Sequence, residues 1–151
     1  MQKNINKVIA GKRSKVFGEM WENTFEYHAK RQGINVVKIP PGCKRLGKFK
    51  LIQIPSPFDY CLCWGGISAH VDTKMTDQTN FTFSMIVPHQ LESLSKLESG
   101  GPAGYVINMN ERVYFASAAL LRSVQPKGHL DLNNAVDLGH KLNFNLQRIF
   151  A

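Results

Sequence analysis

The stretch from residue 58 to residue 74 constrains the fold more than any other part of the chain, because it has the pattern of one β-hairpin. Two glycines, Gly65–Gly66, separate two segments in which polar and apolar residues alternate. Tight two-residue turns need positive φ angles, which glycine adopts without strain. With the glycines as the turn, we predict that Trp64 pairs with Ile67 and that the register follows from this pair.

The side-chain pattern on the two strands supports this register. One predicted face is almost entirely apolar and contains Phe58, Tyr60, Leu62, Trp64, Ile67, Ala69, Val71 and Thr73. The other face is polar and contains Asp59, Cys61, Cys63, Ser68, His70, Asp72 and Lys74. A hairpin that packs one face on a core requires this division, because successive side chains of a strand point to opposite faces.

The polar face is predicted to bring two carboxylates together. In this register Asp59 lies directly opposite Asp72, with Cβ atoms about 4.5–5.5 Å apart. Two such acids repel each other unless a proton or a cation lies between them, and oxygen ligands favour Mg²⁺ or Mn²⁺. Lys74, on the same face, can orient an attacking water or stabilise charge on a phosphate. The alternative is a solvated polar face on which Lys74 forms surface ion pairs.

The charge of the chain indicates a polyanionic partner. Lysine and arginine number 19 against 11 acids, a formal net charge of +8. Nucleic acid is the first candidate and an anionic membrane the second, but no basic amphipathic helix with a bulky apolar face favours the membrane. The residues expected to hold DNA phosphates are Lys12, Arg13, Lys15, Lys44, Arg45, Lys48 and Lys50.

The cysteines and the apolar runs indicate an intracellular protein. The chain has three cysteines, an odd number that argues against a disulfide framework and suits a reducing compartment. Cys61 and Cys63 form a CxC without a second pair at zinc-finger spacing, so we expect strand cysteines and no metal site made of them. The apolar runs are far shorter than the ~20 residues needed to span a bilayer.

The order of the predicted elements indicates a mixed α/β (α+β) fold with a single central mixed sheet flanked by helices. The predicted helices are residues 15–32 after an N-cap at Ser14, a helix from Pro88 to Gly100–Gly101, residues 116–122, and an amphipathic helix near 138–150. The predicted strands are 34–39, 51–54, the hairpin above, and a second hairpin at 103–115, with a basic loop at 43–50. We expect a basic flexible arm at 1–13 and one domain at 14–151, with a core of about 15–122 and a tail at 123–151.

Three motifs together resemble a family of nucleases. Phe58–Asp59 followed by Asp72–Lys74 is similar to the PD-(D/E)XK pattern. Gly18–Glu22 resembles the G-x-x-x-E element that precedes the first strand in Holliday junction resolvases, and Pro88–Gln90 resembles the H-Q element of RecU-type resolvases. The resemblance spans roughly residues 15 to 115. It implies the restriction-endonuclease-like fold.

The resemblance also implies roles for individual residues. The metal ligands would be Asp59, Asp72 and Glu22, and the metal would be Mg²⁺, which Mn²⁺ can replace. Lys74 would act on the attacking water, and Gln90 would orient a water or a phosphate. The chain departs from the pattern at Phe58, where relatives have proline, and at Asp72, where many have glutamate. The segment before Asp59 is also shorter than the stalk of the RecU-type enzymes.

These expectations combine into a function. The chain is expected to be a homodimeric, Mg²⁺-dependent endonuclease that resolves four-way (Holliday) junctions by paired symmetric nicks in DNA recombination and repair. It would act in the cytoplasm, associated with the nucleoid, or in the host cytoplasm if the protein is viral. It is not expected to act on membranes. Two alternatives stay open: a nuclease of the same fold for restriction, mismatch or flap substrates, and a non-catalytic nucleic-acid-binding module.

Overall fold

The computed structural model describes residues 2–151, with side chains at residue 12 and residues 15–151. The α-helices are α1 (Gln2–Arg31), α2 (Pro88–Leu97) and α3 (Ala118–Arg122). The strands are β1 (Asn35–Lys38), β2 (Gly42–Leu46), β3 (Lys50–Ile54), β4 (Tyr60–Trp64), β5 (Ile67–Met75), β6 (Ala103–Met109), β7 (Arg112–Ser117), β8 (Val136–His140) and β9 (Asn143–Phe144). None of the helices in this described part is long and apolar enough to cross a membrane.

One large mixed sheet organises the domain, so the predicted fold class is confirmed. Seven strands lie in the order β1-β4-β5-β6-β7-β8-β9. β5 and β6 are parallel, and the other neighbours in this sheet are antiparallel. A parallel pair needs a crossover connection, which here contains α2. As a result β5, the strand that carries Asp72 and Lys74, lies inside the sheet between two hydrogen-bonded neighbours.

The sheet separates two hydrophobic clusters. On one face, α1 contributes Trp21 and Phe25, which pack with Tyr60 and Leu62 of β4. On the other face, Leu94 of α2 lies in the second cluster, whose members also include Tyr105, Ile107 and Leu121. The layers are therefore α1, the sheet, and α2 with α3. Side chains of β5 point alternately into these two layers.

The β4–β5 hairpin follows the predicted register. Gly65 and Gly66 have φ angles of 58° and 77°, as a tight primed turn requires. Trp64 pairs with Ile67, and the ladder continues as predicted to its last pair, Tyr60 with Val71. The second predicted hairpin is confirmed as β6–β7.

α1 begins much earlier than the sequence suggests. The prediction of a start near residue 15, with Ser14 as N-cap, is wrong, because the helix begins at Gln2. Residues 2–14 contain no proline and a single glycine, so no residue in them ends a helix. The end is as expected: basic residues occupy the last turn, and Gly33 follows with a φ of 75°.

The predicted basic loop at 43–50 is wrong, since this segment contains most of β2, the turn after it and the first residue of β3, and these two strands form a second, two-stranded sheet. β2 and β3 pair antiparallel from Gly42 with Ile54 to Leu46 with Lys50, around a turn that contains Gly47 at a φ of 69°. Every residue of both strands is exposed. We call this element the basic hairpin. It has no strand neighbour in the seven-stranded sheet.

The predicted amphipathic helix at 138–150 is also wrong. The segment forms part of β8, then β9, then a 3₁₀ turn at Leu146–Phe150. β8 pairs with β7, and Phe144, Leu146 and Ile149 are buried in the cluster beneath α1. The region predicted as a tail therefore completes one edge of the sheet and one part of the core.

Candidate active site

Asp59 lies at the mouth of the β4–β5 hairpin, one residue beyond the last paired residue of β4. Its Oδ2 accepts hydrogen bonds from the backbone N–H of Thr73 at 2.9 Å and from Thr73 Oγ1 at 3.0 Å. Its own carbonyl accepts from the N–H of Ile39 at 2.8 Å. These contacts fix Asp59 against the middle of the Asp72–Lys74 motif.

The bend at Asp59 changes one predicted contact. Phe58 was expected on the apolar face with Tyr60, but this prediction is wrong. Phe58 lies in the cluster on the α2 side, with its ring centroid 5.3 Å from that of His70. Because the chain leaves the strand conformation here, the alternation of side chains does not continue from β4 through residue 58.

Asp72 is a buried acid with unusual electrostatics. Only 1% of the residue is exposed, and neither carboxylate oxygen has an aligned hydrogen-bond donor among the described residues. Burial raises the pKa of Asp72 to about 7, and the ammonium of Lys74 opposes this rise. The neighbouring carboxyl of Asp59 raises the pKa of Asp72 further. Asp59 is thus close enough to influence the ionisation of Asp72.

Lys74 connects this acid pair to α2. Its Nζ lies 2.7 Å from Asp72 Oδ2 and donates a hydrogen bond of 2.9 Å to Gln90 Oε1. Gln90 also accepts from the hydroxyl of Tyr105 at 3.1 Å, and that hydroxyl accepts from the N–H of Val87. Burial raises the pKa of Tyr105 to about 12, so its hydroxyl stays a donor at neutral pH. The ammonium also lies 5.0 Å from the Tyr105 ring centroid, within the range of a cation–π contact.

The structure therefore brings four of the predicted residues together: Asp59, Asp72, Lys74 and Gln90. It also adds Thr73 and Tyr105, which the sequence analysis did not select. Thr73 occupies the variable middle position of the motif, where spacing alone gives no signal. In the sequence, Tyr105 cannot be distinguished from other aromatic residues of buried strands. Its contact with Gln90 is visible only in the structure.

Glu22 is engaged elsewhere. Its Oε2 forms an ion pair of 2.9 Å with Lys38 of β1. It lies on the α1 side of the sheet, where it lines a cavity together with Thr73. Among the described residues, no group of three or more histidine, cysteine, aspartate or glutamate side chains is arranged to hold a metal. The structure thus does not add Glu22 to the Asp59–Asp72 pair.

The histidines and cysteines have separate surroundings. Burial lowers the pKa of His70, which lies two residues before Asp72 on the same face and has an Nδ1 without a partner in the described structure. His89, in the first turn of α2, is exposed. Cys61 and Cys63 are half-buried free thiols on β4.

The donor set suits a hard divalent cation. Mg²⁺ is commonly held by one or two carboxylates, with waters and substrate phosphate completing its shell. Asp59 and Asp72 supply such a pair, and apart from the nearby Lys74 ammonium the buried Asp72 oxygens have no hydrogen-bond donor among the described residues. A cation near both groups would offset the cost of the buried charge.

The basic residues selected from the sequence fall into two groups. Lys12 and Lys15 are exposed on α1, and the side chain of Arg13 lies outside the described residues. The other four lie in the basic hairpin and its turn, and all are exposed: Lys44, Arg45, Lys48 and Lys50. Phe49, between the last two lysines, is 97% exposed.

The comparisons with known proteins bear on the fold. At the sequence level, no family model matches the chain, and a search of curated proteins finds no relative. A solved structure of Hjc from Archaeoglobus fulgidus, a Holliday junction resolvase from an archaeal hyperthermophile, is similar to this chain with a TM-score of 0.57. The similarity covers 79% of this chain and 94% of that one, at 12% sequence identity. The chain therefore has a resolvase-like nuclease fold.

Proposed function

We propose that this chain is a metal-dependent endonuclease that cuts branched DNA, and that its substrate is the four-way junction. The observation that carries the proposal is the acid pair Asp59–Asp72, in which Asp72 is buried and has Lys74 at 2.7 Å, on a fold similar to that of Hjc. An ion pair made only for stability gains little from burial, because desolvation opposes the attraction between the charges. A buried acid at a raised pKa beside a lysine is typical of a functional site.

The residues of the site have distinct roles in phosphodiester hydrolysis. A water oxygen attacks phosphorus and gives up a proton to solvent, and the bond to the leaving sugar oxygen breaks as that oxygen takes up a proton from solvent. Lys74 holds the attacking water, and its ammonium stabilises the negative charge that builds up on the phosphate. Gln90 and Asp72 keep that ammonium in position through their contacts of 2.9 and 2.7 Å.

Mg²⁺, which Mn²⁺ can replace, is the proposed cofactor. Asp59 and Asp72 would hold it, and Thr73 would keep Asp59 in place through its two hydrogen bonds. When bound, the cation supplies a more acidic water and a counter-charge for the phosphate. Glu22 stays a proposed ligand only if its ion pair with Lys38 opens when the metal or DNA binds.

DNA binding is proposed to depend mainly on charge. The basic hairpin projects exposed lysines and an arginine, and α1 adds Lys12 and Lys15. Contacts of this kind hold backbone phosphates without reading sequence. A four-way junction has two scissile phosphates related by a two-fold axis, so a C₂ homodimer would supply matched sites.

The replacement of Asp72 by asparagine tests the site. The variant should lose cleavage of a synthetic four-way junction in Mg²⁺ by at least about 100-fold, because one of the two carboxylates is gone. Junction binding in a gel-shift assay should stay within about threefold of wild type, because phosphate contacts lie elsewhere. Glu92→Gln, which removes an exposed acid on α2, is the matched control and should cut normally. Cleavage by the Asp72 variant at the wild-type rate would contradict the proposal, and comparison of junction, flap and linear duplex would decide the substrate.

A further inference from the structure

We propose that the cavity between α1 and the end of β5 is a nucleobase pocket. It would take one unpaired base that carries an exocyclic amino group, from the DNA strand that is being cut. The inference rests on the proposed function, since the base belongs to that same strand. The residues that line this cavity include Phe17, Trp21, Glu22, Thr73, Met75 and Asp77.

The cavity adjoins the acid pair from the opposite side of β5. Thr73 forms part of its wall, and the same residue donates two hydrogen bonds to Asp59. Asp72 and Lys74, the neighbours of Thr73 in the chain, point toward α2. The β4 ladder ends at Tyr60–Val71, so β4 does not cover β5 beside Asp59 and Thr73, and here the acid pair and the cavity meet at one edge. A strand whose phosphate lies at the acid pair can cross this edge to the cavity mouth. A base turned out of that strand would lie over the cavity.

The size and the walls suit a flat aromatic ligand. The cavity volume is about 550 Å³, in the range of small-molecule sites. Phe17 is 51% exposed and Trp21 is buried behind it, one helical turn further along α1. Met75 closes the β5 side and is partly exposed. Proteins that bind unpaired bases commonly stack them on such exposed aromatic side chains.

The polar groups indicate which bases fit. Glu22 and Asp77 place two carboxylates on the walls, and these repel phosphate and accept hydrogen bonds. Exocyclic amino groups of adenine, cytosine and guanine donate such bonds, whereas thymine and uracil present carbonyls at the corresponding positions. The indole N–H of Trp21 is buried without a partner in the described structure, and a buried donor of this kind is costly.

Tryptophan fluorescence tests the pocket without any cleavage. In a Trp64→Phe background Trp21 is the remaining tryptophan, and it lies in the cavity wall. The protein, in EDTA, would be titrated with oligo(dC) and oligo(dU) of equal length, which differ mainly by amino group against carbonyl. We expect quenching of Trp21 and about tenfold tighter binding of oligo(dC).

Two variants and one control complete the experiment. Phe17→Ala should reduce the preference for oligo(dC) to below about twofold, because the stacking surface is lost. Asp77→Asn should also reduce the preference for oligo(dC) over oligo(dU), because the asparagine amide can donate a hydrogen bond to a uracil carbonyl. Tyr27→Ala removes an equally exposed aromatic of α1 that lies outside the cavity, and it should keep the preference. Equal affinity for the two oligonucleotides, or a preference that survives in Phe17→Ala, would overturn the proposal.

The failure of this proposal and the failure of the proposed function give different experimental results. Base-selective quenching in a protein that cuts no junction would refute the nuclease and support the pocket. Junction cleavage in Mg²⁺ by a protein that binds oligo(dC) and oligo(dU) alike would support the nuclease and refute the pocket.

Discussion

Replacing Asp72 with asparagine should stabilise the metal-free protein at alkaline pH, even though it removes an acid of the proposed site. Burial raises the pKa of Asp72 from its ordinary value of 3.8 to about 7. The unfolded chain loses this proton near pH 3.8, whereas the folded chain keeps it until about pH 7. As the pH rises from 3.8 to above 7, the contribution of Asp72 to the free energy of unfolding therefore falls. The difference between the two pKa values corresponds to a total decrease of about 4 kcal/mol in that free energy.

The asparagine variant provides the comparison because its side chain does not titrate. With these two pKa values, the stability of the variant relative to wild type should increase by roughly 2.6 kcal/mol between about pH 5 and about pH 8. The absolute difference at either pH also contains the cost of a buried amide, about 1–3 kcal/mol, which is the same at both. The change with pH is therefore the informative quantity.

Urea unfolding in EDTA, followed by circular dichroism at the two pH values, measures this change. Glu92→Gln, an exposed acid on α2, should show no comparable pH dependence relative to wild type. A difference between wild type and the Asp72 variant that stays constant from pH 5 to pH 8 would refute the reasoning, because Asp72 would then ionise in the folded protein as it does in water.

Three further predictions concern the metal, the lysine and the basic hairpin. Mg²⁺ at ten times its dissociation constant should stabilise wild type by about 1.4 kcal/mol and the Asp72→Asn variant by much less, as measured by the shift of the urea transition. Lys74→Met should lower the cleavage rate by about 100-fold or more with junction binding retained, and near-wild-type cleavage would exclude Lys74 from the chemistry. Simultaneous alanine replacement of three hairpin residues, Lys44, Arg45 and Lys48, should reduce the salt dependence of junction binding, with a slope smaller by about 2.7. A control that removes the same charge at Lys30, Lys96 and Lys127 should leave the slope nearly unchanged.

The secondary structure is predicted best where it depends on residues that are close together in the chain. The β4–β5 hairpin and its register follow from the Gly65–Gly66 turn and from the alternation around it, and both are confirmed from Trp64–Ile67 to Tyr60–Val71. The predicted pairing of Asp59 with Asp72 lies beyond this ladder. α2 follows from Pro88 at its first turn and from the glycines after it. The grouping of Lys74 with Gln90 came from the family resemblance, because spacing cannot place the start of α2 against β5.

The sequence fails where distant contacts decide the conformation. The segment at 138–150 has apolar residues that suit a helix, but Gln32 at the end of α1 binds its backbone: Gln32 Nε2 donates to the carbonyl of Phe144 at 2.8 Å, and Gln32 Oε1 accepts from the N–H of Leu146 at 2.7 Å. The basic hairpin lacks a buried face, so no hydrophobic alternation marks it. The ion pair of Glu22 with Lys38 likewise depends on how β1 lies beside α1, which no motif encodes.

The crossover from β5 through α2 to β6 has a consequence for folding. The same segment that makes two strands parallel carries Asp72, Lys74 and Gln90, and Tyr105 follows on β6. Parallel pairing forms only after the intervening chain has closed its loop, so this step is slow compared with hairpin formation. The β4–β5 hairpin already holds Asp59, Asp72 and Lys74, whereas Gln90 and Tyr105 join them only when this crossover has closed. A partly folded chain would therefore carry the two acids without the groups that position the Lys74 ammonium.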